Sequence, residues 1–243
     1  MLPVAPYLEQ RASWPSTGRH ILAHYDDESV VVYQAYNAAI ADWAVAHQRF
    51  GGPWSFSRMS WIKPNFLWMM YRCGWATKVD QERVLAVRVA RVGFDAVLGG
   101  ALESSFQPDV HGPDRAAWLE RGRSTEVRMQ WDPDHAPDGS KEERRAIQLG
   151  LRGETLRRFA TEWTREIIDI TPFVVEQREH RGEGTRHKLL TPVERVYVPW
   201  PQSQWPGTGG PRAWCTISTS MLDAMACAPL FRYETARPQA CST

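Results

Sequence analysis

The sequence predicts an α+β fold, in which a single domain has a mainly antiparallel sheet flanked by helices. First, segments of β-branched and aromatic residues, typical of strands, occur among segments whose apolar residues recur at helical spacing. Second, these segments do not follow the strict βαβ spacing of a parallel sheet. Third, hydrophobic residues make up 43% of the chain and charged residues 23%, as in an ordinary globular protein.

We divide the 243 residues into three parts. Residues 1–17 contain three prolines and are expected to form an irregular leader. Residues 18–199 are assigned to the α+β domain, and residues 200–243, rich in Pro and Gly, are expected to be a loosely ordered tail. No apolar run approaches the roughly 18–20 residues of a membrane span, and the N-terminus lacks the pattern of a secretory signal. We therefore expect a soluble, cytoplasmic protein.

The first strand and helix of the domain are predicted from side-chain type and capping. The run Ser29–Tyr36 is β-branched and aromatic, which is typical of a buried strand. Asn37 can then cap a helix over residues 38–50, where apolar residues recur at helical spacing. A Gly-Gly-Pro sequence follows and ends this helix.

A second helix and strand follow. Asn65 is expected to begin the helix Phe66–Cys73, and Gly74 to end it, because Asn caps helix N-termini and Gly adopts the left-handed conformation that ends helices. The apolar alternation of residues 83–89 then predicts a strand.

The second half of the domain is predicted to contain a short helix, a helical turn, an antiparallel pair of strands, an amphipathic helix and a last strand. These cover residues 94–102, 116–119, 125–131, 145–151, 154–168 and 193–198. Residues 132–139 should form a loop, because Asp-Pro and Asp-Gly pairs are typical of hairpin turns. The helix over 154–168 is predicted because four apolar residues from Leu156 to Ile167 recur at helical spacing.

Charge and motifs exclude several classes of protein. The net charge is +1, so no overall field attracts a polyanion. Arginine supplies 25 of the 29 basic residues and pairs well with phosphate, although GC-rich coding would produce the same bias. No GxSxG, Walker A, GxGxxG or HExxH motif occurs. A standard α/β-hydrolase, P-loop NTPase, Rossmann dehydrogenase or zincin is therefore not expected.

The basic–aromatic block, residues 43–79, contains the strongest functional signal. It has no Asp or Glu, five cationic residues and a tryptophan at every seventh position from Trp54 to Trp75. Cations bind phosphates, and aromatic rings stack on bases at about 1–3 kcal/mol each. Alternatively, the aromatic residues fill the core while the basic side chains extend to solvent. The candidate substrate- and phosphate-binding residues, including two from the preceding strand, are Arg58, Lys63, Arg72, Lys78, Trp61, Trp75, Gln34 and Tyr36.

Lys63 and Glu82 are the candidate catalytic residues. Pro64 restricts the chain directly after Lys63, and the helix that begins at Asn65 has free N–H groups that can receive an anion. Glu82 enters a strand close to the cationic block and could act as general base or bind a pair of ribose hydroxyls. Alternatively, Glu82 is a solvated residue at a strand end with a local ion pair.

No metal site is assigned. Asp132, Asp134 and His135 are the candidate ligands, because closely spaced carboxylates can bind Mg²⁺ or Ca²⁺. Ordinary hairpin chemistry explains the same residues.

These segments resemble a known family. The similar segments are residues 33–37, 50–53, 59–75, 130–135, 145–151, 190–192 and 194–197. They resemble the bacterial and fungal domain-of-unknown-function family 4291 over about residues 30–199, and the tryptophan-rich segment 59–75 is the specific motif. The activity of the family is unassigned, so the resemblance implies no catalytic residues.

Three functions fit these observations. The first is a transferase acting with or on a nucleotide or nucleic acid, in its specific form an enzyme resembling ADP-ribosyltransferases that uses NAD. Gln34 stands where many such enzymes have Arg or His, so Lys63 and Arg72 would supply the positive charge. The second is a non-catalytic RNA- or single-stranded-DNA-binding module. The third is a protein-interaction domain with hot spots at tryptophans such as Trp75. No membrane partner is expected, and the oligomeric state is not predicted.

Overall fold

The computed structural model describes residues 2–200. The strands are β1 (Val4–Pro6), β2 (Leu22–Ala23), β3 (Ser29–Tyr36), β4 (Ser60–Ile62), β5 (Arg83–Ala90), β6 (Ala101–Glu103), β7 (Val127–His135), β8 (Lys141–Leu151), β9 (Thr164–Asp169), β10 (Leu190–Pro192) and β11 (Arg195–Val196). The helices are α1 (Tyr7–Ser13), α2 (Ala38–His47), α3 (Phe66–Cys73), α4 (Arg91–Gly99), α5 (Pro108–His111), α6 (Arg115–Ser124), α7 (Gly153–Arg158) and α8 (Thr171–Arg178). None of these helices is long and apolar enough to cross a membrane.

Two main sheets organise the domain. One has three antiparallel strands in the order β3-β5-β9. The other has four strands in the order β4-β8-β7-β6, antiparallel except for the parallel pair β6–β7. The short strands pair separately, β1 with β10 and β2 with β11. The predicted α+β fold, a single domain with mainly antiparallel sheets, is confirmed.

A backbone contact joins the two main sheets beside Lys63. The Tyr33 N–H in β3 donates to the Lys63 carbonyl at 2.7 Å, directly after β4 ends. One apolar cluster includes residues of both sheets, among them Val87, Ile62 and Leu149. A second cluster lies under α3 and packs Phe66 against Tyr33. As a result, the segment that connects β4 to α3 lies between the two sheets.

The predicted starts of α2 and α3 and the predicted end of α3 are confirmed. The Asn37 side chain accepts a hydrogen bond from the Ile40 N–H, and the Asn65 side chain accepts one from the Trp68 N–H. Gly74 ends α3 with a φ of 61°. The helix α2 ends at His47, earlier than predicted, because the next residue turns into the left-handed conformation.

The predicted irregular leader, residues 1–17, is wrong. Its residues form β1 and α1, and Tyr7 is buried. The Gln10 side chain donates to Thr191 Oγ1 at 2.8 Å and accepts from the Glu194 N–H. The prolines indicated irregular chain, but the pairing partner β10 lies at the other end of the domain and leaves no local signal.

The predicted helix over 154–168 is also wrong in its second half. The helix α7 ends at Arg158, a π-helical turn covers Phe159–Trp163, and the chain then enters β9. Ile167 pairs with Val87 of β5, so its apolar side chain is buried from a strand. Helical periodicity predicted the burial of Ile167 correctly and its secondary structure incorrectly.

Other differences concern loops and ends. The predicted loop 132–139 is wrong over its first four residues, because β7 continues to His135. Two helices, α5 and α6, replace the single predicted turn near 116–119, and the last predicted strand is reduced to β11. The predicted tail from residue 201 onward lies outside the described residues.

Candidate functional site

A row of polar side chains crosses the four-stranded sheet next to Lys63. Ile62 of β4 pairs with Leu149, which is the last pair of that ladder, and Lys63 follows it directly at the level of Gln148. Gln148 in turn pairs with Gln130 of β7. Paired residues of antiparallel strands share one face, and so do alternate residues of one strand. Gln148, Gln130 and Asp132 therefore lie on one face, opposite the apolar core. Lys63 adjoins this face where β4 ends, and we call the four residues the Lys63 face.

Lys63 is buried at the edge of this face. Its side chain is 5% exposed, and its Nζ donates to the Trp61 carbonyl at 3.3 Å. Burial lowers the pKa of Lys63 to about 7, because water no longer stabilises the ammonium ion. The positive charge of Arg72 lowers this pKa further, whereas the carboxylate of Asp132 opposes the shift.

Trp68 provides a second buried hydrogen-bond donor close to Lys63. The Lys63 ammonium lies 5.3 Å from the centre of the Trp68 ring. The Trp68 indole N–H is buried and has no hydrogen-bond partner among residues 2–200. An unsatisfied buried donor costs about 1–3 kcal/mol, and an ammonium group has three donors of which Lys63 uses one. Within the described residues, Trp68 therefore has an N–H without an acceptor next to an ammonium group that makes only one hydrogen bond.

Asp132 is held by two amides on the Lys63 face. Gln130 Nε2 donates to Asp132 Oδ1 at 2.9 Å, and Gln148 Nε2 donates to Asp132 Oδ2 at 2.7 Å. Each carboxylate oxygen therefore has a fixed partner. Asp132 and Gln148 are half-buried and Gln130 is exposed, so the group is accessible from solvent.

Gln34 supports the site from the neighbouring sheet. Its Nε2 donates to Ser60 Oγ at 2.8 Å and to the Trp61 carbonyl at 3.2 Å. The same Trp61 carbonyl accepts from Lys63, so Gln34 and Lys63 share an acceptor. Gln34 Oε1 is buried without a partner in the described part of the chain.

Tyr36 extends this network toward the core. Its hydroxyl shares a hydrogen bond of 3.2 Å with Ser60 Oγ and accepts from Trp54 Nε1 at 2.9 Å. Burial raises the pKa of Tyr36 to about 12, so its hydroxyl stays protonated at neutral pH. The structure thus connects three of the predicted binding residues, Tyr36, Gln34 and Lys63, through Ser60 and Trp61.

Other predicted binding residues have structural partners instead. Trp75 is 3% exposed and donates its indole N–H to the Pro137 carbonyl at 3.1 Å. Lys78 Nζ donates to the Arg72 carbonyl at 2.7 Å, where α3 ends. Arg72 is exposed and donates to the Gln81 side chain. Arg58 is exposed on the chain before β4, and Trp61 is half-buried over Gly150.

Glu82 is separate from these contacts. Its side chain is exposed, and its Oε1 accepts from the Asp80 N–H at 2.9 Å. No contact within the described residues joins Glu82 to Lys63, so the two candidate catalytic residues are not brought together.

The candidate metal ligands do not converge. Asp134 is buried and pairs with Arg144 at 2.7 Å, while the His135 ring stacks on Tyr71 at 3.5 Å. Asp132 accepts one hydrogen bond from Gln130 on Oδ1 and one from Gln148 on Oδ2. Within residues 2–200, no group of three or more His, Cys, Asp or Glu residues is arranged to hold a metal ion.

Sequence reasoning did not include four residues of the site. They are Ser60, Trp68, Gln130 and Gln148. The polar alternation of β7 and β8 is visible in the sequence, but only the strand register places it beside Lys63. In the sequence, nothing distinguishes Trp68 from the other tryptophans of the block. Only the structure shows that its indole N–H is buried without a partner among the described residues.

Two comparisons with known proteins extend these observations. The model of the family described as Domain of unknown function (DUF4291) matches residues 20–197, which is more than half of the chain. No curated protein matches the chain.

Proposed function

We propose that this chain, which belongs to the DUF4291 family, is a transferase that acts with or on a nucleotide and binds an anionic group of that nucleotide at Lys63. The unpaired, buried indole N–H of Trp68 next to the buried ammonium of Lys63 is the observation that supports this proposal. An anionic oxygen would accept from both groups and remove the cost of leaving them unpaired.

Electrostatics favour an anion at this position. Arg72 adds a second positive charge close enough to lower the pKa of Lys63. An anion would stabilise the ammonium form and raise that pKa again, so binding near neutral pH would be accompanied by proton uptake. A positive charge fixed beside a phosphate also stabilises negative charge that develops during group transfer.

The specific form of the proposal is an enzyme that uses NAD. In such a transfer, the bond between ribose C1′ and the nicotinamide nitrogen breaks, and nicotinamide leaves with the bonding electrons. A new bond then joins C1′ to an oxygen or nitrogen of the acceptor, which loses a proton. Lys63 would hold the pyrophosphate, and Gln34 would position Lys63 through the Trp61 carbonyl that both contact.

The two alternative functions have less support. A single-stranded nucleic acid needs rings that stack on bases, but Trp54, Trp68 and Trp75 are each at most 6% exposed. A partner protein would need an accessible Trp75, which instead binds the Pro137 carbonyl. Trp61 is half-buried, and it is the tryptophan of the block with most surface for either role.

Thermal unfolding with added ligands tests the proposal. Inorganic pyrophosphate, AMP, ATP, NAD and a short RNA would each be added to the wild-type protein and to Lys63→Met, with nicotinamide release measured for NAD. A ligand at about 100 times its Kd should stabilise the wild type by about 2.7 kcal/mol. We expect a shift with a nucleotide that is lost in Lys63→Met.

The matched control is Lys188→Met, since Lys188 is an exposed lysine remote from α3 in sequence. It should keep the full ligand shift. Equal shifts in wild type and Lys63→Met, or no shift with any nucleotide, would contradict the proposal. A shift with RNA alone that falls steeply with salt would favour the nucleic-acid-binding module.

A further inference from the structure

We propose that Asp132, together with Gln130 and Gln148, binds the ribose hydroxyls of the nucleotide whose anionic group lies at Lys63. This inference rests on the proposed function, and it names the part of the ligand that the rest of the Lys63 face would recognise.

The chemistry of Asp132 suits hydroxyl groups. A carboxylate accepts hydrogen bonds at both oxygens and has about four lone-pair sites. Gln130 and Gln148 occupy one site on each oxygen, which fixes the orientation of the carboxylate and leaves further sites free. Two neighbouring hydroxyls, as in ribose, are donors with the spacing to use both oxygens of one carboxylate.

The amides of the two glutamines reinforce this choice. Each uses an N–H for Asp132, and neither amide oxygen accepts a hydrogen bond from residues 2–200. The group is therefore rich in acceptors, whereas the Lys63 and Trp68 part of the site is rich in donors. A ligand with an anionic group at one end and hydroxyl donors at the other complements both parts.

The strand positions allow one ligand to contact both parts. Lys63 and Asp132 belong to the Lys63 face on either side of β8. Two strand spacings and an offset of two residues along β7 separate their backbones by about 12 Å, a gap that a phosphate and a ribose together can span. The carboxylate of Asp132 also opposes the lowering of the Lys63 pKa, as expected for charges on one side of the sheet.

Charge sets the orientation of such a ligand. A phosphate beside Asp132 would be repelled by the carboxylate, whereas a phosphate beside Lys63 and Arg72 would be attracted. The uncharged ribose is therefore expected at Asp132. If Asp132 served only to balance the charge of Lys63, the protein would bind nucleotides with and without ribose hydroxyls equally well.

Isothermal titration calorimetry tests the inference with three probes: AMP, 2′,3′-dideoxy-AMP and inorganic pyrophosphate. The proteins are wild type, Asp132→Asn and Asp109→Asn, the last being an exposed aspartate control. For wild type, we expect at least tenfold weaker binding of the dideoxy nucleotide than of AMP. Asp132→Asn should bind AMP and dideoxy-AMP alike and pyrophosphate at least as well as wild type, and Asp109→Asn should match wild type.

Equal affinities of the wild type for AMP and dideoxy-AMP would overturn the inference. If that binding still required Lys63, the proposed function would stand and the ribose assignment alone would fail. Absence of binding by all three probes would overturn both. The wild-type comparison between the two nucleotides needs no variant, so it decides the matter even where Asp132→Asn does not fold.

Discussion

The ammonium group of Lys63 lies 5.3 Å from the centre of the Trp68 indole ring, and both side chains are buried. Only four residues separate them, because Lys63 follows β4 directly and Trp68 lies in the first turn of α3. Asn65 caps that turn, because its side chain accepts from the Trp68 backbone N–H at 2.7 Å. A short strand-to-helix connection thereby brings a cation and an unpaired N–H donor together.

Lys63 should make stability depend on pH above neutrality. Its pKa is about 7 in the folded protein, below the 10.5 of an unperturbed lysine, so the unfolded chain binds more protons between these values. Stability should therefore rise with pH from about 7 to 10.5, by up to about 1.4 kcal/mol per pH unit. In Lys63→Met this contribution should disappear, and the variant should gain stability over wild type most clearly below pH 7.

Urea unfolding at pH 6 and pH 9 measures this effect. Lys188→Met serves as control, because an exposed lysine should leave the pH dependence unchanged. Identical pH dependence in wild type and Lys63→Met would show that the buried lysine keeps an ordinary pKa.

Glu194 should make the stability of the protein fall as pH rises, which is opposite to the effect of Lys63. It is 4% exposed, and burial raises its pKa well above 4.5 despite a hydrogen bond from the Phe66 N–H and the charge of Arg144. The folded state then binds more protons than the unfolded state above pH 4.5, so this contribution falls as pH rises. Glu194→Gln keeps an oxygen acceptor for Phe66 and removes the charge.

We expect the change in Tm caused by Glu194→Gln to be more favourable at pH 8 than at pH 5. Glu183→Gln, at an exposed glutamate, should show no such difference. A loss of stability that is larger at pH 8 would mean that the ionised carboxylate is stabilised in the fold.

Trp75 should be a stability residue rather than a binding hot spot. It packs edge-on against Phe66 and donates to the Pro137 carbonyl, which joins α3 to the β7–β8 turn. Trp75→Ala should cost about 3–5 kcal/mol in urea unfolding, and Trp75→Phe should cost less because it keeps most of the apolar contact. Wild-type stability combined with loss of an oligomer or partner would instead support the interaction-domain hypothesis.

Gly93 should not tolerate a side chain. A Cβ at this position in α4 would lie 2.7 Å from Cδ2 of Trp163, whose ring covers the helix from the π-helical turn. Gly93→Ala should therefore destabilise the protein by about 1–3 kcal/mol. Thermal unfolding of both variants measures this effect. At Gly184 a Cβ would meet no atom within 4 Å, so Gly184→Ala is the matched control and should remain close to wild type.

Local signals predicted much of the first half of the domain. Asn37, Asn65 and Gly74 act on backbone groups within a few residues, so the starts of α2 and α3 and the end of α3 follow from neighbouring sequence. The predictions for the leader and for residues 154–168 were wrong because the deciding contacts are not local. Each forms a strand whose partner, β10 for β1 and β5 for β9, is distant in the chain.

The site also divides into residues that local sequence predicted and residues that only the tertiary structure places. Lys63, Gln34 and Tyr36 were predicted from residue type and position, and the structure connects them through Ser60 and Trp61. Gln148 and Asp132 could not be placed beside Lys63 without the register of three strands. Glu82 is exposed, which agrees with its alternative interpretation as a solvated residue at a strand end.

By itself, the sequence determined the α+β class, the family, and the caps of α2 and α3. These depend on composition, periodicity and contacts between residues close in the chain. Only the tertiary structure decided which tryptophans are buried, that Lys63 is desolvated, and that Asp132 shares a sheet face with Gln130 and Gln148. Burial and strand register depend on segments far apart in sequence, and it is this long-range packing that turns a lysine with an ordinary pKa into a candidate anion-binding group.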